Sequence, residues 1–167
     1  MLHRTVMATE LGSVEVVVDD HGAVKRIEFT GTQRPTGALN GLAERRCAMV
    51  VRQLSEYFEG SRHHFELALA PAGSEFQQSV WDRVLRIPYG TTRSYGEIAR
   101  DLGDIGLARA VGAANGANPI PVIIPCHRVI GADGSLVGYG GGLAVKRRLL
   151  ELEAGVVGGR QTGLDFG

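Results

Sequence analysis

Cys126 is followed directly by His127 and Arg128 in the stretch IIPCHRVIG, residues 123–131. A thiol, an imidazole and a guanidinium in succession are the groups from which a nucleophilic site is built. The thiolate attacks, the imidazole takes a proton, and a nearby cation favours the negative sulfur. Pro125 stiffens the approach and brings no amide hydrogen. An unperturbed thiol titrates at about 8.5, so help of this kind is needed for reactivity at neutral pH. On a regular strand, neighbouring side chains point to opposite faces, and a Cys–His pairing here therefore requires a turn or a water relay. Free cysteines are also among the most buried residues and are mostly inert. Residue chemistry alone leaves both readings open for Cys126. For Cys47 it favours core filler, because Cys47 shares a helical face with Val50 and Leu54.

Other chemistries fit less well. PCHRV carries the first half of the P-C-x-x-C of zinc deaminases, but Val129 stands where the second cysteine belongs. There is no H-E-x-x-H, and the adjacent His63 and His64 cannot form that helical pair. Neither a metal nor any cofactor is expected. GYGGG, residues 138–142, lacks the pattern of a phosphate-binding loop. It reads as a flexible loop, or as one presenting backbone amides to a ligand that comes close. The segment LARAVGAANGANP, residues 107–119, has Arg109 as its only charge among alanines and glycines. Each glycine inside such a helix costs roughly 1 kcal/mol against alanine. Small residues let a backbone approach another surface closely, whether a neighbouring element or a nucleic-acid groove, and composition does not separate the two.

The chain has 167 residues, 44% hydrophobic and 22% charged, with 18 Lys plus Arg against 18 Asp plus Glu. These are globular values, and the net charge points to no partner. Two separated cysteines without a CxxC suit a reduced compartment. No signal-peptide core or membrane-length apolar run is present, so a cytoplasmic location without membrane association is expected.

Val14, Val16 and Val18 alternate as a strand, DDHG turns, and Val24, Ile27 and Phe29 begin a return strand. A loose stretch follows at residues 30–37. Helical spacing of Cys47, Val50, Leu54, Tyr57 and Phe58 predicts a helix over residues 39–58, closed by Gly60. Phe65, Leu67 and Leu69 predict another strand, and APAG reads as a linker. Ser74 with Gln77 predicts a capping box for a helix of Phe76, Val80 and Val84 that Pro88 ends. Ser94 with Glu97 predicts a second box opening a helix over 95–102. After the turn GDIG, another helix runs from Leu107 to about Asn115, which makes a helix-turn-helix pattern. Residues 120–131 read as extended, and a last helix runs over 143–153 with Val145, Leu149 and Leu152 inside. The expected organisation is an α/β domain over 1–73 with a small antiparallel sheet and a helix, a mainly α domain over 74–155, and a mobile tail over 156–167.

IPCHRVI, with SYGEIA, ARAVGAANGANP and GYGGGLAVKRRLLELE in the same order, resembles the O6-alkylguanine-DNA alkyltransferases. The match runs from about Phe76 to Glu153 and is weaker before it. The resemblance implies a winged-helix-type helix-turn-helix in the second domain. It also implies direct-reversal repair: duplex DNA bound from the minor groove, the damaged base flipped out, and its alkyl group moved irreversibly to Cys126 in a single turnover. Transfer from O4-alkylthymine is implied alongside. His127 would take the thiol proton through water, Glu153 would orient His127, Asn118 would brace the turn, and Tyr95 would donate to the departing guanine. Arg128, Val129, Tyr139 and Gly140 would line the substrate pocket with Tyr95. Arg109 would fill the space left by the flipped base, with Ala108, Ala110, Gly112, Ala113, Thr92 and Ser94 against the DNA. A monomer is expected, with cooperative clustering on DNA left open.

Two departures bear on this. Some relatives hold zinc through N-terminal cysteines, for which only Cys47 is available, so no zinc is expected; some have serine where this chain has Gly140. The charge from Glu75 to Glu153 is 9 Lys plus Arg against 8 Asp plus Glu, hardly a basic stripe. Phosphate contacts would then come from helix N-termini, backbone amides and a few arginines. Two rival classes remain. A pure DNA-binding module would bind without covalent change, and a Cys–His hydrolase would turn over acyl substrates.

Overall fold

The computed structural model describes residues 1–31 and 41–158, apart from the side chains of 156–158. The predicted helix start at 39–40, the loose stretch beyond Gly31 and the tail beyond Gly158 lie outside the described residues. The chain divides into two compact units, Met1–Ala72 and Gly73–Gly167.

In the first unit, three strands form an antiparallel sheet in chain order: β1 (His3–Thr9), β2 (Gly12–Val18) and β3 (Val24–Gly31). The turn between β2 and β3 is held by Asp19, whose carboxylate accepts from the amides of His21 and Ala23 at 2.9 and 3.0 Å. Gly22 completes it at φ 82°, a left-handed conformation that glycine adopts without strain. Helix α1 (Gly41–Phe58) packs on β1 and β2. Val14, Val16, Val18 and Ile27 of the sheet are buried, as are Cys47, Val50, Leu54 and Tyr57 of the helix. Each such side chain contributes about 1.5–3 kcal/mol when fully buried. Cys47 is completely covered there, as its spacing suggested.

The sequence pattern did not reveal β1, because two of its buried residues, His3 and Thr5, are polar. The strand expected at Phe65–Leu69 reduces to one isolated bridge. The Val24 amide donates to Ala68 O and the Ala70 amide to Val24 O, each at 2.8 Å.

The second unit is helical: α2 (Glu75–Leu85), α3 (Tyr95–Asp101), α4 (Ala108–Gly116) and α5 (Leu143–Gly158). Both predicted capping boxes form, Ser74 with Gln77 on α2 and Ser94 with Glu97 on α3. A single 3₁₀ turn, Ile105–Leu107, leads into α4. The indole of Trp81 on α2 donates to Ala114 O at 2.8 Å and fixes the C-terminal end of α4. Val111, Ala114 and Asn115 are buried, while Arg109, Ala110 and Ala113 are exposed. The small residues thus serve close packing on one face of α4 and leave a bare backbone on the other.

Two expectations are corrected here. Residues 120–131 are not extended: they turn at 121–124, form a 3₁₀ turn at Cys126–Arg128, and only then pair as β5 (Val129–Ile130), parallel to β4 (Arg93–Ser94). Helix α5 continues to Gly158, past the expected end at Glu153, and among its described side chains the buried ones are Lys146, Leu149, Leu150 and Glu153. Val145 and Leu152, expected inside, are half-buried. Among the described residues no helix is long and apolar enough to cross a membrane.

Candidate active site

Cys126 sits at the end of a tightly braced turn. Val122 is forced to φ 73°, which costs a β-branched residue on the order of 1–3 kcal/mol and is held in place by buried Ile120, Ile123 and Ile124. Asn118 spans the bend. Its Oδ1 accepts from the Ile120 amide at 2.9 Å and its Nδ2 donates to Ile124 O at 2.8 Å. Pro125 adopts φ −80°, ψ 63°, the dihedrals of an inverse γ-turn, which the Cys126 amide closes onto Ile124 O at 2.7 Å. Asn115 of α4 donates from Nδ2 to Cys126 O at 3.2 Å. The obstacle of alternating side chains is thereby removed, because the nucleophile and its neighbours lie on a 3₁₀ turn and not on a strand.

Behind the turn lies a buried charge cluster. Glu153, 1% exposed, takes His127 Nε2 on Oε2 at 2.7 Å. Arg128 grips the same carboxylate with two bonds, Nε to Oε1 at 2.8 Å and Nη2 to Oε2 at 2.9 Å. The Gly90 amide adds a fourth donor at 3.1 Å. Arg128 also donates from Nη1 to Ile87 O at 2.7 Å, and its guanidinium carbon stands 5.6 Å from the centre of the Tyr89 ring. Burial alone would raise the Glu153 pKa, but His127 and Arg128 outweigh it and hold the carboxyl well below its ordinary value. Burial lowers the His127 pKa against the pull of Glu153, so the ring is neutral at neutral pH. An ionised Glu153 accepts the proton-bearing Nε2 and leaves Nδ1 as the basic nitrogen of that ring.

The thiol itself is pushed up to about 11 by burial, opposed by a hydrogen bond from Asn118 and the charge of Lys146. The resting site therefore holds a neutral thiol beside a neutral imidazole, and attack requires that a proton be drawn off. The expectation that Arg128 favours a thiolate is not met, since its charge is neutralised by Glu153. Lys146 supplies the cation. Sequence reasoning passed over Lys146, although it lies on one helical face with Leu149 and Glu153, three and seven residues on. Asn115 was also passed over; its signal was to be, besides Arg109, the one bulky polar residue among the small ones of α4.

In the same unit a cavity of about 650 Å³ opens between α3–α4 and the loop before α5. Tyr95, Ala108, Arg109, Gly112 and Asn115 line it from the helices, and Val137, Tyr139 and Gly140 from the loop. The Tyr95 hydroxyl donates across it to Val137 O at 3.0 Å. Cys126, 6% exposed, is not itself a lining residue. It bears on the cavity nonetheless: burial raises the pKa of both Tyr95 and Tyr139, and a Cys126 thiolate raises them further. Arg128 and Val129, expected in the wall, are not among its residues, because Arg128 is committed to Glu153 and Val129 is fully buried in β5. Ala110 and Ala113 lie on the exposed face of α4, Thr92 is exposed ahead of β4, and Ser94 caps α3. Among the described residues no three His, Cys, Asp or Glu are grouped to hold a metal ion.

The chain is similar to known proteins. Residues 75–155 match the family described as 6-O-methylguanine DNA methyltransferase, DNA binding domain. The methylated-DNA–protein-cysteine methyltransferase of Mycobacterium leprae is 47% identical over 155 residues, which cover 92% of this chain and 93% of that protein. The crystal structure of Mycobacterium tuberculosis O6-methylguanine methyltransferase superposes with a TM-score of 0.79 at 40% identity, covering 98% of this chain and 96% of that one. A crystal structure of Mycobacterium tuberculosis OGT in complex with DNA superposes with a TM-score of 0.79 at 43% identity, covering 92% and 94%. The chain belongs to the methylated-DNA–protein-cysteine methyltransferase family.

Proposed function

We propose that the protein repairs alkylated duplex DNA by direct reversal, moving the alkyl group of O6-alkylguanine, and of O4-alkylthymine, onto Cys126. The observation that carries this reading is the neutral His127, bonded to Glu153 at 2.7 Å and next in the chain to a nucleophile that cannot ionise unaided. The Cys126 proton passes through a water to His127 Nδ1, and Glu153 stabilises the imidazolium that results. Sulfur attacks the alkyl carbon, the carbon–O6 bond breaks, and its electron pair leaves with the guanine. Tyr95, turning from Val137 O, donates to the base as this charge develops. Asn118 keeps the nucleophile's turn in place, and Tyr139 and Gly140 wall the pocket. The product is a thioether, a poor leaving group, so each molecule acts once. Incubation with a duplex carrying one O6-methylguanine is expected to return unmodified guanine up to one equivalent of protein; methyl transfer continuing well past that point contradicts the scheme.

In the same reading, residues 74–155 are the DNA-binding and transfer domain, the first domain supports it, and the protein works as a cytoplasmic monomer. Helices α3 and α4 act as a helix-turn-helix that approaches the minor groove with the small residues Ala108, Ala110, Gly112 and Ala113, while Thr92 and Ser94 meet the backbone. Arg109, exposed at the cavity, fills the space of the extruded base. Unstacking a base costs a few kcal/mol, and a free base requires none of it. Arg109→Ala is therefore expected to slow repair of a duplex at least tenfold more than reaction with free O6-benzylguanine, and Arg109→Leu to recover part of the loss. Equal losses on the two substrates would place Arg109 in the fold or the pocket.

A further inference from the structure

Lys146 is 0% exposed, on the inner face of α5, and the scheme above gives it no task. A buried ammonium is tolerated only where hydrogen bonds replace its hydration. Its acceptors are two backbone carbonyls, Val129 O at 2.7 Å and Val137 O at 2.9 Å. They belong to different parts of the site. Val129 opens β5 directly after the Cys126–Arg128 turn, while Val137 sits in the cavity loop just ahead of Tyr139. Val137 O has a second donor, the Tyr95 hydroxyl at 3.0 Å. One carbonyl thus receives both the ammonium and the hydroxyl expected to serve the departing base.

A tyrosine has one proton to donate. When Tyr95 gives it to the base, Val137 O loses that donor, and the loop loses a tie to α3 at the moment the pocket must keep its shape. We propose that Lys146 is a positioning residue for alkyl transfer, whose ammonium clamps the Val137–Tyr139 loop to the strand following the nucleophile while Tyr95 exchanges Val137 for the base. The inference rests on the alkyl-transfer reading and adds a residue to it. The same ammonium lies close enough to Cys126 to lower its pKa, which favours the thiolate in the same arrangement.

Lys146→Met keeps the apolar stem and removes every donor, and Lys146→Gln restores two N–H groups without charge. Each is compared with the wild type for melting temperature, affinity for the methylated duplex, and single-turnover rate at saturating duplex. Lys146→Met is expected to bind the duplex within about threefold of wild type and to react at least tenfold more slowly, with Lys146→Gln in between. A residue that only fills the core would shift melting temperature and leave the saturated rate of the folded protein unchanged. A wild-type saturated rate in Lys146→Met overturns the proposal. Should Lys146→Met not fold, a wild-type saturated rate in Lys146→Gln overturns it equally. Failure of the wild type to demethylate the duplex would instead remove the alkyl-transfer reading itself.

Discussion

Replacing Cys126 with serine is expected to abolish alkyl transfer, by at least roughly 10⁴-fold, the scale on which enzymes lose rate when a nucleophile is removed. The surroundings make a substitute nucleophile impossible to use. Burial already holds the thiol at about 11, and a hydroxyl, far less acidic to begin with, suffers the same penalty on its anion. The turn itself is held by the Asn118 bonds to Ile124 O and the Ile120 amide, by the Asn115 bond to Cys126 O and by the Pro125 γ-turn, and none of these bonds uses sulfur. Fold and duplex binding should therefore survive, as read by thermal melting and gel shift. Cys47→Ser, in the first unit, is expected to keep transfer. Transfer by Cys126→Ser within a hundredfold of wild type would place the nucleophile elsewhere.

Glu153→Gln is expected to destabilise the second unit by about 3–5 kcal/mol, the usual result of removing one partner from a buried ion pair. Four donors converge on this carboxylate, and an amide can satisfy them only by turning its own NH₂ toward another donor. Transfer in the fraction that folds should fall roughly 10²–10⁴-fold, because His127 loses both its orientation and the charge that stabilises its protonated form. The pH dependence follows from the directions of two shifts. The folded Glu153 pKa lies below its ordinary 4.5, so its stabilisation is complete above that pH and is lost as pH falls further. The folded His127 pKa lies below its ordinary 6.5, so stability is likewise present above 6.5 and declines below it. Wild type should thus weaken on acidification in two stages. Glu153→Gln should retain the first and lack the second, and a wild-type acid profile in this variant would mean that Glu153 is not the acid-sensitive group.

What could be read from the sequence was what local chemistry decides. The two capping boxes bond residues three apart, and they form where Ser74 and Ser94 placed them. The burial of Cys47 followed from helical spacing alone. The bend at Cys126 was illegible because its cause is tertiary: Asn115 reaches it from another helix, and Val122 holds a conformation its type disfavours. The pairing of β4 with β5 involves two residues on each side, too few for alternation to register. Strand β1 was masked by the inward His3 and Thr5. Lys146 was passed over and Arg128 misread for one reason, since a cation in a sequence reads as solvated or poised to act. Here one is locked on carbonyls and the other on a carboxylate.

The most direct test of the central claim is intact-mass and peptide analysis after incubation with a duplex carrying a single O6-methylguanine. The account predicts that the protein gains the mass of one methyl group in place of one hydrogen, that the gain maps to the peptide containing Cys126, and that an equal amount of guanine is restored. Restored guanine with an unmodified protein, or a methyl group found on any residue other than Cys126, would contradict it.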